Sequence, residues 1–240
     1  MQVDNTARPA LLVFGASGTL GSAVVDAARG TRTFASIAAC GFRRAPEGDL
    51  NFQFDVLDAA ELNALPDKLA KNNLRVSAIV HCIGAVRDAL LPQTSPEDWE
   101  HLIDLNLRSA FLIARRFLPV FVSQRRGRFV FIGSHSGSLG RAGQAGYSAA
   151  KAGLAGLAQS LAREYGKRNI QANVVLPGFL PESPMVRGME PDTLATLQAE
   201  NSLGSPTTAA EAARFILHLL SMDHVSGQVF ALDSRILPQH

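Results

Sequence analysis

Short, largely apolar segments recur along the chain, and most are separated by longer stretches with helical periodicity. Residues 10–15 (ALLVFG), 76–84 (VSAIVHCIG) and 127–134 (GRFVFIGS) show no strict alternation of apolar and polar residues. Strands of this kind are buried on both faces and are typical of parallel sheets covered by helices. The pattern predicts an α/β fold, doubly wound, with a mostly parallel sheet of about seven strands and helices on both faces. The other strands are predicted at residues 34–40, 50–56, 170–178 and 227–233.

Helices are predicted between these strands, at residues 19–30, 58–72, 95–124, 146–167 and 207–221. The segment 95–124 is either one long helix or a broken pair, and Ser95 followed by Pro96 is a typical helix start. No linker, repeat or low-complexity segment divides the chain, so residues 1–240 are interpreted as one domain. Residues 179–205 interrupt the alternation with three prolines and are predicted to form a mobile substrate lid.

The composition argues against several classes of protein. A net charge of +2 over 240 residues disfavours nucleic-acid binding, because phosphate contacts need a basic stripe. No apolar run approaches the roughly 20 residues of a membrane-spanning helix, and the first ten residues have no apolar signal core. Two cysteines make no disulfide framework, so a cytoplasmic location is expected. The six histidines show no metal-ligand spacing, and no metal site is expected.

A glycine-rich turn follows the first predicted strand, in the stretch FGASGTLGSA. Gly15, Gly18 and Gly21 form the pattern G-x-x-G-x-x-G. Glycines in such a turn let the backbone approach a pyrophosphate at a helix N-terminus, where free N–H groups favour anions. The same pattern can serve packing alone, but its place after the first strand of a parallel sheet favours a dinucleotide site.

The second predicted strand ends in ACGFRRAPEG, and no acidic residue stands at its tip. An acid there would bind the ribose of NAD, whereas arginine accommodates the 2′-phosphate of NADP. Arg43 and Arg44 therefore favour NADP(H), the alternative being two exposed loop arginines. Asp55, at the end of the third predicted strand, is a candidate to bind the adenine amino group.

Tyr147 and Lys151 lie four residues apart in AGYSAAKAG, and a helix would place both side chains on one face. In this order of motifs the chain resembles the short-chain dehydrogenase/reductase family over nearly all of its length. The family's Tyr-x-x-x-Lys matches Tyr147 and Lys151, and its serine thirteen residues before the tyrosine matches Ser134. Its helix asparagine matches Asn106, and its Pro-Gly after the sixth strand matches Pro177 and Gly178.

The resemblance implies a Rossmann-type fold and a catalytic set of Asn106, Ser134, Tyr147 and Lys151. Tyr147 would donate the proton, and Lys151 with a bound nicotinamide would lower the pKa of Tyr147. Ser134 would bind the substrate oxygen, and Asn106 would hold a water behind Lys151. His135, beside Ser134, is interpreted as incidental. Expected cofactor contacts are Gly15, Ser17, Gly18, Thr19, Leu20, Arg43, Arg44, Asp55, Val56, Cys82, Gly84, Tyr147, Lys151, Pro177 and Gly178.

Two segments depart from the family pattern. Thr19 stands where the middle glycine of the turn is expected, and Phe14 where a threonine is expected. A β-branched residue limits how closely a diphosphate can approach, so shifted or tighter cofactor binding is expected. The family's Asn-Asn-Ala-Gly after the fourth strand is HCIG here, residues 81–84. The loss of an asparagine bridge between strands puts the local rigidity in doubt.

Within the family, the segments GAVRDALLPQTSPEDWEHLIDLNLRSAF and GRAGQAGYSAAKAGLAGLAQSLARE are most similar to β-ketoacyl-acyl-carrier-protein reductases. That resemblance implies docking of an acidic carrier protein on Arg125 and Arg168. It also implies a homotetramer, or a homodimer, that packs its longest helices together. Small residues suited to such packing are Ala152, Gly153, Ala155, Gly156 and Ala158, and contact with the sheet is their alternative role.

The expected activity is NADPH-dependent reduction of a 3-oxoacyl thioester, carried by an acyl carrier protein, in a fatty-acid-like, polyene or polyketide pathway. The same residues would serve a carbonyl reductase or alcohol dehydrogenase acting on another small ketone. A non-catalytic NADP-binding subunit is the third alternative, motivated by the altered glycine turn and HCIG.

Overall fold

The computed structural model describes residues 7–31, 33–186 and 191–236, and they form one α/β unit. Its sheet has seven strands in the order β3-β2-β1-β4-β5-β6-β7. Every strand pair described is parallel, including the last one. The predicted doubly wound fold is therefore confirmed. The strands are β1 (Arg8–Phe14), β2 (Ser36–Gly41), β3 (Leu50–Gln53), β4 (Leu74–His81), β5 (Gly127–Ile132), β6 (Ile170–Leu176) and β7 (Val229–Ala231).

Helices cover both faces of the sheet and complete two apolar cores. One core includes Leu62 and Phe117 with the facing side chains of the strands, and the other includes Val24 and Ile216. Burial on both faces explains why the strands are apolar rather than alternating. The helices are α1 (Thr19–Arg29), α2 (Ala59–Ala70), α3 (Pro96–Ile103), α4 (Ser109–Gln124), α5 (His135–Leu139), α6 (Ala145–Tyr165), α7 (Pro191–Ala199) and α8 (Ala209–Ser221).

The predicted helix 95–124 is continuous, but a π-helical turn over Asp104–Arg108 joins α3 to α4. Ser95 begins it as expected, because its side chain accepts a hydrogen bond of 3.0 Å from the Asp98 N–H. The wider turn contains Asn106, whose side chain is fully buried and donates to the Leu102 carbonyl at 2.9 Å. π turns of this kind occur frequently at functional sites.

The third strand ends earlier than its apolar run predicts, at Gln53 rather than residue 56. The cause is a turn at Asp55, whose side chain accepts a hydrogen bond from the Leu57 N–H at 2.9 Å. Side chains of aspartate compete with strand pairing in this way.

The predicted lid, residues 179–205, contains the short helix α7 and a 3₁₀ turn at Pro184–Val186. Residues 187–190 of the lid lie outside the described residues. Within the part of the chain that is described, no helix combines the length and the apolar character that crossing a membrane requires.

Candidate active site

The sequence motifs meet at the carboxyl edge of the parallel strands, where ligands bind in open α/β sheets. A cleft there consists of two adjoining cavities of about 430 Å³ and 500 Å³. The larger contains the glycine turn and the end of β2, and the smaller contains Ser134, Tyr147 and Lys151. Both are lined by Gly18, Cys82, Ile83, Gly84 and Val86, so they form one continuous cleft.

The glycine turn brings the start of α1 against the ends of β1 and β4. Gly15 has a φ of +77°, and a Cβ there would lie 2.8 Å from the carbonyl carbon of Cys82. A Cβ on Gly21 would lie 2.2 Å from the Gly15 carbonyl oxygen. No side chain caps the N-terminus of α1, where Gly18 is the capping residue. The turn therefore leaves a helix N-terminus for an anion in the cleft.

Thr19 is the first residue of α1 and lines the cleft beside Gly18 and Leu20. The departure from the glycine pattern therefore lies on the surface that a diphosphate would contact. Its effect on cofactor affinity stays a prediction.

The larger cavity brings together most of the residues expected at the adenosine end. Ser17, Arg43, Asp55 and Val56 all line it. Arg44 is exposed and does not line either cavity. The sequence offered no distinction between the two arginines, but in the structure only Arg43 lines the cavity. Arg43 is therefore the candidate for a phosphate contact.

Tyr147 and Lys151 lie one turn apart on α6, and both side chains are buried. The Lys151 Nζ lies 5.7 Å from the centroid of the Tyr147 ring. It donates a hydrogen bond to the Ile132 carbonyl at 2.8 Å and a longer one to the Ile83 carbonyl at 3.4 Å. Lys151 is therefore held by the ends of two neighbouring strands and not by a carboxylate.

Burial controls the proton affinity of both groups. It lowers the pKa of Lys151 to about 8. It raises the pKa of Tyr147; the hydrogen bond with Ser134 opposes this shift and the charge of Asp88 reinforces it. In these apolar surroundings the cost of desolvating a tyrosinate dominates the proton affinity of Tyr147. The lowering of this pKa by Lys151 together with a bound nicotinamide stays a prediction.

Ser134 precedes α5 and faces Tyr147. Its Oγ accepts a hydrogen bond from the Ser136 N–H at 3.2 Å, and its hydroxyl shares a hydrogen bond with Tyr147. Ser136 is engaged elsewhere, since it donates to the Gln144 Oε1 at 2.9 Å. The spacing argument for Ser134 therefore selects the serine that lies beside the tyrosine hydroxyl.

Asn106 lies behind Lys151 and lines neither cavity. Its amide forms two hydrogen bonds with the backbone of Ala85, at 2.9 Å and 3.2 Å. A Cβ on Gly84 would lie 3.2 Å from the Asn106 Oδ1 and 3.4 Å from the Lys151 Nζ. Gly84 thus makes room for these two side chains, and Asn106 fixes the segment that follows β4.

These observations combine a dinucleotide-type turn with a Ser-Tyr-Lys cluster at one end of the same cleft. The family model described as enoyl-(acyl carrier protein) reductase matches residues 21–234. The chain belongs to the short-chain dehydrogenase/reductase family.

Curated relatives agree with that assignment. The chain is 35% identical over 217 residues to 3-oxoacyl-[acyl-carrier-protein] reductase FabG of Escherichia coli, covering 88% of each chain. It is 32% identical over 188 residues to the enzyme of the same name from Thermotoga maritima, covering 78% of this chain and 76% of the relative. It is 37% identical over 179 residues to carbonyl reductase family member 4 of Xenopus tropicalis, covering 73% and 74%.

Membership of this family implies an NAD or NADP cofactor, and the chain's residues fit one. A diphosphate would fit in the space left by Gly15 and Gly21 at the uncapped start of α1. The two adjoining cavities would hold the nucleoside ends on either side of it. Pro177 and Gly178 line the cleft after β6, close to Tyr147. No group of three or more metal-binding side chains occurs among the described residues.

The HCIG departure has a structural replacement. His81 is fully buried at the end of β4, and its Nε2 lies 2.8 Å from the Ser109 Oγ. The Ser109 hydroxyl donates to the Leu105 carbonyl at 2.7 Å, so it accepts from a neutral His81 that carries its proton on Nε2. His81 therefore links β4 to the π turn, and the expected loss of rigidity is offset by this contact.

The buried His81 makes stability sensitive to acid. Burial, and next the charge of Lys151, lower its pKa from 6.5 to about 3. The unfolded chain therefore takes up a proton that the folded chain refuses. The free energy of unfolding is expected to fall as pH drops from about 6.5 towards 3, with a slope approaching about 1.4 kcal/mol per pH unit from this residue.

Urea unfolding at several pH values checks this expectation, with His81→Gln as the comparison. Glutamine keeps an amide for Ser109 but does not titrate, so the pH slope of the variant should be smaller. Equal slopes for the two proteins between pH 3 and 6 would show that His81 is not the cause.

Four ionisable residues that line the smaller cavity were not predicted as site residues: Asp88, His135, Arg141 and Arg235. Asp88 accepts a hydrogen bond from the Gln144 Nε2 at 3.0 Å. Arg235 reaches the cavity from a segment about a hundred residues after Ser134, so spacing within a motif could not reveal it. The signal available in the sequence was two charged residues, Asp233 and Arg235, at the end of the last predicted strand.

Proposed function

We propose that the chain is an NADPH-dependent reductase that converts the keto group of a 3-oxoacyl thioester to a hydroxyl group. The observation that carries this proposal is the convergence of the Ser134 and Tyr147 hydroxyls, with Lys151 beside them, in a cavity continuous with the nucleotide cleft. Two hydroxyls that meet at one point suit a single carbonyl oxygen on which negative charge develops.

The cofactor supplies the hydride when it is bound. Ser134 donates a hydrogen bond that orients the keto oxygen, and the Tyr147 hydroxyl donates the proton to it. Lys151 stabilises the tyrosinate that remains, because its ammonium group lies near the ring and has no carboxylate partner among the described residues. Asn106 holds the segment around Gly84 and Ala85 that packs on Lys151. A water held by Asn106 stays a prediction.

The thioester is favoured by the two relatives that are named 3-oxoacyl-[acyl-carrier-protein] reductases and that cover most of the chain. The relative named carbonyl reductase supports the second candidate, a reductase of another small ketone. Both activities need the same Ser134 and Tyr147 chemistry, and the lid residues would decide between them.

The experiment is the oxidation of NADPH, followed by absorbance, with acetoacetyl thioesters and with a cyclic ketone. Turnover of the thioester at higher kcat/KM supports the proposal. Turnover of the cyclic ketone alone would replace it with the second candidate. Binding of NADPH without turnover of any ketone would favour a non-catalytic subunit.

Arg43 is proposed to select NADPH over NADH. Both Arg43 and Arg44 are exposed, but only Arg43 lines the adenosine end of the cleft. Arg43→Ala is expected to raise KM for NADPH by about 10-fold or more and to leave KM for NADH nearly unchanged, since it removes a charged phosphate contact. Arg44→Ala is the matched control and should change both values by less than twofold. Steady-state kinetics with both cofactors checks this, and equal effects of the two variants would contradict it.

Docking of an acidic carrier protein on Arg125 and Arg168 is also a proposal. Arg125 ends α4 and Arg168 lies just after α6, and both are exposed. The two connections are neighbours, because the Gly127 N–H donates to the Asn169 carbonyl at 3.2 Å. They precede β5 and β6, so they lie at the amino edge of the sheet, opposite Ser134. Docking there would serve the active site of a neighbouring copy.

The resemblance to β-ketoacyl-acyl-carrier-protein reductases is also the ground for proposing a homotetramer, or a homodimer, packed through α4 and α6. Phe111 on α4 is 46% exposed, and Ala152 and Gly156 on α6 are exposed. Other small residues of α6 are used internally, since Ala158 belongs to the core and Gly153 packs on Leu107. The exposed subset is the part available for close packing with a second chain.

A further inference from the structure

Three ionisable nitrogen-bearing side chains line the substrate cavity without a role in the proposed hydride and proton transfer. They are His135, Arg141 and Arg235, and they share the cavity of about 430 Å³ with Ser134 and Tyr147. They come from α5, from the loop between α5 and α6, and from the segment after β7. Any substrate bound at Tyr147 therefore shares a cavity with them.

Arg235 is held in one orientation by Asp233. The Asp233 side chain is fully buried, and its Oδ2 accepts a hydrogen bond from the Arg235 Nε at 2.7 Å and forms an ion pair with Nη2 at 2.5 Å. Burial raises the pKa of Asp233, but the nearby nitrogen atoms of His135 and Arg235 outweigh it and hold that pKa at about 2. The carboxylate therefore stays ionised and fixes the plane of the guanidinium group.

Gly178 provides the room for this arrangement. Its φ is +84°, and a Cβ there would lie 2.6 Å from the Asp233 Oδ2. The Asp233 carboxylate is thus packed under the segment that follows β6, which belongs to the same cleft. The Asp233–Arg235 pair is consequently a built part of the active-site wall and not a mobile surface pair.

Several donors of this cluster have no matching acceptor among the described residues. His135 is 6% exposed, and its Nδ1 has no hydrogen-bond partner. Its Nε2 lies 2.9 Å from the Asp233 Oδ1, but off the direction of a good hydrogen bond, so this contact is electrostatic. Arg141 makes no side-chain hydrogen bond or ion pair within the part of the chain that is described. The Arg235 Nη1 reaches only Glu200, at 3.7 Å, whose side chain is half exposed.

The charges favour an anion rather than a neutral polar group. Asp233 balances Arg235, and Asp88 is bonded to Gln144, whereas Arg141 brings a positive charge that no acid in the described ranges pairs with. Lys151, whose charge is likewise not paired with an acid, lines the same cavity. Guanidinium groups bind carboxylates and phosphates through parallel hydrogen bonds, which makes them suited to selecting such groups.

We propose that His135, Arg141 and Arg235 form a subsite for an anionic group, a carboxylate or a phosphate, carried by the ketone substrate. Asp233 is the positioning residue that orients Arg235. The proposal rests on the proposed function, because the anion would belong to the molecule whose keto group Tyr147 protonates. It narrows the substrate class to ketones with a negative charge away from the reacting carbon.

The test uses the full chain with NADPH and matched pairs of substrates. Two 3-oxoacyl thioesters differ only in a terminal carboxylate or methyl group, and two 3-oxo oxygen esters differ in the same way. A third pair is acetoacetyl coenzyme A and acetoacetyl-N-acetylcysteamine, the same thioester with and without phosphates. The anionic member is expected to have a kcat/KM about 10- to 100-fold higher, mainly through KM. The pairs that show the preference identify the anion as carboxylate or phosphate.

Variants separate recognition from folding. Arg141→Gln and Arg235→Gln should each lower kcat/KM for the anionic members much more than for the uncharged members, and so remove most of the preference. Arg235→Lys keeps the charge but loses the fixed fork, so it should recover only part of the preference. Arg29→Gln, on the surface of α1 outside the cleft, is the control and should keep the wild-type preference.

Equal kcat/KM for anionic and uncharged members in every pair would overturn the subsite. Equal losses on both members in the arginine variants would also overturn it, because they would indicate a structural role alone. A preference among oxygen esters with no reduction of thioesters would refute the proposed function and leave the subsite standing. Reduction of thioesters with equal kcat/KM for the anionic and uncharged members would overturn the subsite and leave the proposed function standing.

Discussion

Replacing Tyr147 with phenylalanine is expected to lower kcat for ketone reduction by about 10²- to 10⁴-fold, the usual contribution of a positioned general acid. The variant keeps the ring that packs in the cavity and loses only the hydroxyl that shares a hydrogen bond with Ser134. The free enzyme keeps this hydroxyl protonated, since burial raises its pKa. NADPH affinity should stay within about threefold of the wild type, because the phenyl ring preserves the shape of the cleft.

Steady-state kinetics and a fluorescence titration with NADPH measure the two quantities separately. Tyr165→Phe is the matched control, because Tyr165 ends the same helix, packs against the core and lines neither cavity. Its kcat should remain within about twofold of the wild type. Full activity of Tyr147→Phe would refute Tyr147 as the proton donor, and loss of NADPH binding would assign it a structural role instead.

Gly21→Ala is expected to destabilise the protein and to weaken cofactor binding together. The added Cβ would lie 2.2 Å from the Gly15 carbonyl oxygen and 2.8 Å from the Ala16 Cα, and both are backbone atoms that cannot rotate away. Such overpacking costs about 3 kcal/mol, and the helix preference of alanine returns about 1 kcal/mol. A net loss of about 2 kcal/mol in the free energy of unfolding follows.

Movement of α1 away from Gly15 would also displace the helix N-terminus from the cleft, so KM for NADPH should rise by about 10-fold or more. Gly30→Ala is the matched control at the other end of α1, where the Ala27 carbonyl oxygen would be 3.4 Å from the new Cβ and φ is −72°. It should change stability by less than about 0.5 kcal/mol. Urea unfolding and steady-state kinetics of both variants check this, and equal behaviour would contradict the close-packing argument.

Local patterns predicted most of the fold because they follow from burial and backbone geometry. The apolar runs became the strands of a parallel sheet, and Ser95 with Pro96 marked the start of α3. The errors have local causes as well. The side chain of Asp55 ended β3 early, and the π turn around Asn106 replaced the choice between one helix and two. The strands and helices were predicted from the periodicity of apolar residues. That periodicity is the same with or without the extra residue of a π turn or a turn formed by one side chain.

Some site residues could be identified from the sequence around them, and others only from contacts between distant parts of the chain. Tyr147, Lys151 and Ser134 were identified by spacing, and the structure brings them together as the pattern implies. Arg43 and Arg44 are adjacent in sequence and equal in chemistry, and only the fold of their loop separated them. Asp233 and Arg235 follow β7 and join the site because β7 pairs with β6, although they lie about a hundred residues after Ser134 in the sequence.

The sequence by itself determined the order of strands and helices, the glycine turn and the Tyr-x-x-x-Lys helix, because each depends on neighbours within a few residues. Only the tertiary structure decided the electrostatic state of the site. Burial lowers the pKa of Lys151 and raises that of Tyr147, and it depends on side chains brought in from β4, β5 and α5. The same long-range packing placed Asp233 and Arg235 against His135, and with them the residues of the proposed anion subsite.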